Sequence, residues 1–298
     1  MSTPARPQLL IVAGLDPSGG AGLIADVRHA AELGARPLAV ATALTEQNTR
    51  GAVASNPVDP EIVGAQLRAL LTDIELAAVK IGMIGSSALA EMVGRELELT
   101  AAPVVWDPVL IASRGCDLFT GDLAAAIDAL LPHTTLLTPN IAEASALAEI
   151  EIHDVETAIR AGEILCRRGF ANVLVKGGHL PLGSGARAHA TGDAAAHPGP
   201  DAAANPGSDV VTDVLVSSRG VEHFAQPRRP LVGGANTGLG PRQHGSGVHG
   251  TGCALSTAIA VGLAEKRPLP VAVAQAKAWL AQRLAAPVVC GQGRPSIA

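Results

Sequence analysis

LLIVAGLDPSGGAGLIADVRHAAEL, residues 9–33, carries three local structures in succession. Residues 9–13 form an uninterrupted apolar run of strand length. Gly14-Leu15-Asp16-Pro17-Ser18-Gly19-Gly20-Ala21-Gly22 is a glycine-rich turn. Residues 23–33 then have helical character. A strand, a glycine-rich turn and a helix open a parallel α/β unit. Glycines allow a tight turn and close backbone approach to a ligand, and the following helix presents free N–H groups. The turn is neither GxGxxG nor a Walker A loop, because no GK[ST] follows, and a purely structural turn would also account for it.

The alternation continues outward. Apolar runs at 38–44, 77–81, 103–106, 135–137 and 172–175 read as strands, and 60–71, 88–97, 122–131, 141–147 and 155–168 as helices. Short connections favour one doubly wound, mainly parallel sheet with helices on both faces. The rhythm breaks at Gly177. Residues 181–208 and 233–248, rich in Gly, Pro, Ala and His, are expected to be flexible insertions. Between them, 210–216 and 221–224 read as a β-hairpin. Helices are expected over 254–263 and 271–284. Without a clean linker or an internal repeat, residues 1–298 are expected to form one domain.

Composition narrows the function. The 298 residues hold 22 Lys+Arg against 27 Asp+Glu, a formal charge of −5, which offers no field for a nucleic-acid backbone. Charged residues make up 16%, below the roughly 25% usual in soluble domains, so oligomer contacts are expected to cover some surface. With three Phe, two Trp and no Tyr, the core must come from Ala, Val, Leu and Ile. Cys116, Cys166, Cys253 and Cys290 are scattered without metal-site spacing, and no secretory leader is read, so a reducing cytoplasm is expected. No apolar run of 18 residues suggests a membrane anchor.

Several polar groups fall at expected strand ends, where α/β sheets bind ligands. Asp16 can cap its turn or bind a ligand, and Asp26 is either a surface acid or reaches the sheet's C-terminal edge. Gln47, in Glu46-Gln47-Asn48-Thr49 after a strand, suits a heterocycle edge, as it would suit a loop hydrogen bond. Met83 in Lys80-Ile81-Gly82-Met83 and Val109 in Asp107-Pro108-Val109 can be core or pocket wall. Asn140 and Glu143 match a capping box, while the carboxylate could also hold Mg2+ through water. Lys176 can neutralise phosphate or simply end its strand, and the same choice attends His179. His249-Gly250-Thr251-Gly252-Cys253 precedes an apolar helix. Its amides can form an anion hole, and a Cys253 thiolate would be stabilised there, against the alternative of an inert buried cysteine. No GxSxG or HExxH occurs.

Taken in order, AGLDPSGGAGLIAD, TALTEQNTRG, KIGMIGS, DPVLIASRG, LLTPNIAEASAL, VKGGH and HGTGCALSTAIA resemble the hydroxymethylpyrimidine/phosphomethylpyrimidine kinases of the ribokinase-like superfamily. The resemblance covers residues 8–179 and 210–284. It implies a ribokinase-like α/β fold and a cytoplasmic homodimer. The implied activity is ATP- and Mg2+-dependent phosphorylation of 4-amino-5-hydroxymethyl-2-methylpyrimidine, then of its monophosphate to the diphosphate, in thiamine biosynthesis. By the same resemblance Gly14, Ala21 and Asp26 belong to the substrate site, Gln47 meets the pyrimidine, and Met83 with Val109 lines the pocket. Asn140 and Glu143 match the Mg-ATP segment, with Glu143 toward the metal, and Lys176 lies near the phosphates. Gly250, Thr251, Gly252 and Cys253 match the anion hole, with Cys253 in the place of a catalytic Asp.

Two departures stand out. Leu15 replaces a small polar residue, and Ala112-Ser113-Arg114-Gly115 differs from the usual alanine-lysine-serine-glycine. Leu15 and the second insertion, directly before the anion hole, motivate one alternative, a catalytically impaired pyrimidine-binding regulator; the other is a pyridoxal or pyridoxine kinase of the same superfamily, against which Gln47 and Met83 favour the pyrimidine.

Overall fold

The computed structural model describes residues 6–110, 118–177, 210–227 and 248–297. The expected insertion 181–208, nearly all of 233–248, and Arg114, Cys116 and His179 lie outside the described residues. The chain runs β1 (Gln8–Leu15), α1 (Gly22–Glu32), β2 (Arg36–Asn48), β3 (Gly51–Pro57), α2 (Pro60–Asp73), β4 (Ala78–Ile81), α3 (Ser87–Leu97), β5 (Val104–Trp106), α4 (Leu123–Leu130), β6 (Thr134–Leu137) and α5 (Ile141–Ala148). It continues through α6 (Val155–Arg167), β7 (Asn172–Val175), β8 (Val210–Ser217), β9 (Gly220–Pro227), α7 (Thr251–Ala264) and α8 (Leu269–Arg283). No described helix is long and apolar enough to cross a membrane.

The strands form one sheet in the order β3-β2-β1-β4-β5-β6-β7-β8-β9. β2, β1, β4, β5, β6 and β7 run parallel, with antiparallel β3 at one edge and the β8–β9 hairpin at the other. β1 shows why the sheet needs helices on both faces. Its Leu10 and Val12 join the core beneath α2 to α6, while Leu9, Ile11 and Ala13 join the core beneath α1, α7 and α8. A strand buried on both faces must be apolar throughout, as 9–13 is.

Helix starts follow local chemistry. Asp59, Ser86, Asp122, Asn140 and Asp154 cap α2, α3, α4, α5 and α6 through their side chains. At the far edge Lys277 of α8 pairs with Asp213 of β8 at 2.5 Å, and Asp213 also accepts the Gly177 N–H at 2.8 Å. This contact ties the exit of β7 to the opposite layer.

One expectation is corrected. The strand read at 38–44 extends to Asn48 and turns back into β3, so Glu46, Gln47 and Asn48 lie in a strand rather than in a loop after it. Polar Thr-Glu-Gln-Asn resembles a loop, yet an edge hairpin with one solvated face tolerates alternating polar residues. A bulge between Glu46 and Gln47 in that pairing resets the register at Gln47.

Candidate functional site

The exits of the parallel strands gather at one edge of the sheet. Asp16 follows β1, Met83 follows β4, Asp107 follows β5, Asn140 follows β6 and Lys176 follows β7. Backbone bonds link neighbouring exits. Gly14 N–H donates to the Met83 carbonyl at 3.1 Å, Asp107 to Ile81 at 2.8 Å, Thr138 to Trp106 at 2.9 Å and Lys176 to Pro139 at 2.9 Å.

Glycines bring the two loops of this edge into contact. Gly250 has φ +80, and a Cβ there would overlap the Gly20 carbonyl oxygen; a Cβ on Gly20 would lie 2.6 Å from His249 Cδ2. Only glycine at both positions lets the 14–22 turn meet the 249–253 turn. α1 and α7, which start at these turns, have no side-chain N-cap, unlike α2 to α6. Their first N–H groups are therefore not taken up by a capping side chain, and the helix field adds positive potential there.

Two buried charge clusters lie beneath. In the first, Asp26 of α1 pairs with Lys80 of β4 at 2.5 Å and accepts the Thr257 hydroxyl of α7 at 2.8 Å. Burial opposes the Lys80 charge, but Asp26 and Asp107 outweigh it and hold the ammonium above its ordinary value. Asp26 has 0% exposure, so it braces the site from below and offers a ligand no surface; the reading of a surface acid does not hold. In the second cluster Lys176 Nζ lies 2.5 Å from Asp107 Oδ1, and Ser256 donates to Asp107 Oδ2 at 3.2 Å. Burial alone would raise the Asp107 carboxyl, yet Lys176 and Lys80 bring it below its usual value. A Cβ on Gly252 would stand 3.1 Å from Lys176 Nζ, which places this ammonium under the first turn of α7.

Glu143 completes the capping box. Asn140 N–H donates to Glu143 Oε2 at 2.8 Å, and Glu143 N–H to Asn140 Oδ1 at 3.0 Å. Burial still pushes its carboxyl up to about 7, against the pull of Lys176. Among the described residues no group of three or more His, Cys, Asp or Glu is placed to hold a metal ion.

Cys253 sits in the first turn of α7 with the Gly22 N–H facing its sulfur. Desolvation, with Asp26 and Asp107 nearby, pushes the thiol up to about 12 despite Lys80, so it rests protonated at neutral pH.

The remaining candidates divide into two groups. Met83 and Val109 share a small apolar cluster with Ala43, Ala52 and Leu118, and Met83 packs on Gly14, where a Cβ would meet its sulfur at 2.7 Å. Ala21 donates its N–H to Asp16 Oδ2 at 3.1 Å. Gln47 instead lies beside His249: the amide nitrogen is 3.2 Å from His249 Nε2, which is itself 3.1 Å from Asp16 Oδ2. Asp16 also accepts from Ser18 N–H at 2.8 Å and Ser18 Oγ at 2.7 Å. Burial alone would raise this carboxyl, and the His249 and Ser18 hydrogen bonds bring it below its ordinary value.

Sequence reasoning assigned no role to Lys80, Asp107, His249, Ser256 or Thr257. A signal was present for the last two. A Ser-Thr pair inside an otherwise apolar helix must find buried partners, and three and four residues after Cys253 it shares that residue's face. The pairing of Lys80 with Asp26 and of Lys176 with Asp107 had no local signal, since 54 and 69 residues separate the partners.

Residues 16–297 match the phosphomethylpyrimidine kinase family. The hydroxymethylpyrimidine/phosphomethylpyrimidine kinase of Streptomyces coelicolor is 34% identical over 288 residues, covering 96% of this chain and 92% of that protein. The thiamine biosynthesis bifunctional protein ThiED of Geobacter sulfurreducens is 36% identical over 292 residues. These cover 97% of this chain and 51% of ThiED, so the chain spans about half the length of that relative. The crystal structure of phosphomethylpyrimidine kinase from Clostridium difficile 630 superposes with a TM-score of 0.67 at 29% identity, covering 93% of this chain and 98% of that one. The fold is ribokinase-like, as the resemblance implied.

Proposed function

This chain belongs to the phosphomethylpyrimidine kinase family, and on that premise we propose that it phosphorylates 4-amino-5-hydroxymethyl-2-methylpyrimidine with ATP, and then its monophosphate to the diphosphate. The observation that carries this reading is the Lys176 ammonium held under the uncapped first turn of α7, on the same sheet edge as the Met83–Val109 cluster. Phosphoryl transfer requires charge compensation and alignment more than covalent machinery. Positive charge and preorganised N–H groups suit the charge that develops on the transferred group.

In this reading the amides of Gly250, Thr251, Gly252 and Cys253 surround the γ-phosphoryl group as its bond to ATP breaks and a bond to the substrate oxygen forms, with ADP and the hydroxyl proton leaving. Lys176, fixed by Asp107, balances its charge. Gly14 and Ala21 keep the substrate turn tight, and Met83 and Val109 wall the pyrimidine. Cys253 positions the hydroxymethyl group as a neutral thiol, because its proton is too firmly held for it to rest as a base. Asp26 acts through Lys80 and Thr257. Thr251 and Asn140 belong to the nucleotide side.

Glu143 fits a role toward Mg2+. It is a buried oxygen donor near Lys176 whose charge burial disfavours, and a dication would stabilise that charge. The small number of available carboxylates suits an ion held mostly by phosphate oxygens and water, and such an ion would supply further charge neutralisation. A homodimer in the cytoplasm completes the reading. The family resemblance and the low charge content support the dimer, and the widely spaced cysteines support a reducing compartment.

The test is product identification by mass spectrometry after incubating the protein with Mg-ATP and hydroxymethylpyrimidine, its monophosphate or pyridoxal. Formation of the monophosphate and then the diphosphate is expected. Phosphorylation of pyridoxal alone, or of nothing, would overturn the proposal.

A further inference from the structure

The contacts of one imidazole nitrogen set the orientation of Gln47. His249 Nε2 lies 3.1 Å from Asp16 Oδ2 and 3.2 Å from the Gln47 amide nitrogen. A carboxylate only accepts hydrogen bonds, so the contact with Asp16 requires a proton on Nε2, whatever the state of Nδ1. Nε2 then has no lone pair to offer, and an amide N–H facing it sets donor against donor. The other end of the amide is mismatched as well. Thr45 Oγ1 lies 3.3 Å from Gln47 Oε1, but its single proton goes to the Leu15 carbonyl at 2.9 Å, leaving lone pairs against a carbonyl oxygen.

A half-turn of the carboxamide repairs both ends at once. Gln47 Oε1 then accepts from His249 Nε2–H, which it shares with Asp16, and Gln47 Nε2 donates to Thr45 Oγ1. Heavy-atom positions hardly change, because amide oxygen and nitrogen are nearly isosteric. The contacts with His249 and Thr45 hold the side chain from both sides. One amide N–H and one oxygen lone pair remain unspent.

We propose that His249, held by Asp16, is a specificity-determining positioning residue: with Thr45 it locks the Gln47 carboxamide in one orientation and so decides which hydrogen-bonding edge of a pyrimidine the site accepts. This rests on the pyrimidine-kinase reading above. A 4-aminopyrimidine presents a ring-nitrogen acceptor beside an amine donor. The 4-oxo analogue presents a ring N–H donor beside a carbonyl acceptor, the reverse order. A locked amide matches one order and opposes the other. An amide free to turn would serve both.

The experiment compares kcat/KM for the 4-amino substrate and its 4-oxo analogue in wild type, His249→Leu, His249→Gln and Thr45→Val. Wild type is expected to favour the amino substrate. His249→Leu and Thr45→Val should each reduce that preference at least about tenfold, mainly through KM, with kcat for the amino substrate within about threefold. His249→Gln, whose amide N–H reaches about as far as Nε2–H, should restore most of the preference. In the free wild-type protein, NMR should show a proton on His249 Nε2 and a nuclear Overhauser contact between the Gln47 amide protons and Thr45. The contact should weaken in His249→Leu, where Thr45 alone still holds the amide. If His249→Leu does not fold, Thr45→Val and the wild-type spectrum decide. An unmoved preference in either variant, a failure of His249→Gln to restore it, or a bare Nε2 would overturn the inference while leaving pyrimidine turnover intact. A wild type inert toward both pyrimidines would instead overturn the functional reading, and the specificity role with it.

Discussion

Cys253 and Glu143 show how burial changes what a side chain can do. A cysteine at a helix start is a familiar setting for a thiolate, yet here desolvation and two carboxylates hold the proton, with the thiol at about 12. At pH 8 the thiolate fraction is on the order of one in ten thousand. Iodoacetamide should therefore label exposed Cys290 well before Cys253, read by peptide mass spectrometry. Comparable labelling rates would mean that Cys253 carries a thiolate. Glu143 makes a different prediction. Its carboxyl titrates at about 7 when folded, against an ordinary value of 4.5. Between those values the folded state binds more protons than the unfolded one, so this group's contribution makes stability fall as pH rises from 4.5 to 7. Glu143→Gln keeps the capping hydrogen bonds and removes the titration. Relative to wild type, the variant should gain up to about 3 kcal/mol across that window in denaturant unfolding. A pH-independent difference would argue against the raised carboxyl.

Among the elements, α7 contributes most to the site. It enters through Gly250 in a left-handed conformation, and Ser256 and Thr257 reach the two buried charge clusters. Gly250→Ala should disturb this entry in two ways: strain at positive φ and overlap with the Gly20 carbonyl. The sheet does not depend on that turn, so far-UV circular dichroism should stay close to wild type. Phosphoryl transfer should fall about 100-fold, as when preorganised donors are displaced. Transfer within threefold of wild type would show that the amides at 250–253 do not serve the reaction. The existence of α7 was readable from its apolar run, and its start from the glycines. Its partners were not, because the hydroxyls of Ser256 and Thr257 meet the carboxylates of Asp107, just after β5, and Asp26 of α1. The β2–β3 hairpin was only half readable. Its apolar start at 38–44 marked a strand, but polarity concealed the second half, which takes its shape from pairing with β3.

At the scale of the whole molecule, the chain following α8 returns to the site. Gly293 N–H donates to Thr49 Oγ1 at 3.1 Å and Arg294 N–H to the Thr49 carbonyl at 3.0 Å. His249 N–H donates to the Pro295 carbonyl at 2.8 Å, and Arg28 to the Ile297 carbonyl at 2.7 Å. This strap joins the β2–β3 turn, the start of α7 and α1. Removing residues 288–298 should leave the sheet core protected from hydrogen exchange but speed exchange of the amides at 46–52 and 249–253 at least about tenfold. Unchanged exchange there would show that the strap is incidental.

The local pattern of residues by itself determined the three-layer α/β class, the parallel run of the sheet and the edge at which the candidate residues were sought. Continuous apolar runs of strand length, apolar positions at helical spacing, glycine turns and capping residues act over a few neighbours, and those neighbours are contiguous in the chain. Only the tertiary structure decided that Asp26 is buried with Lys80, that Lys176 is fixed by Asp107, that Cys253 keeps its proton, and that Gln47 answers to His249 across 202 residues. Those outcomes depend on desolvation and on charges a few ångströms apart, and the folded chain sets such distances independently of separation in sequence.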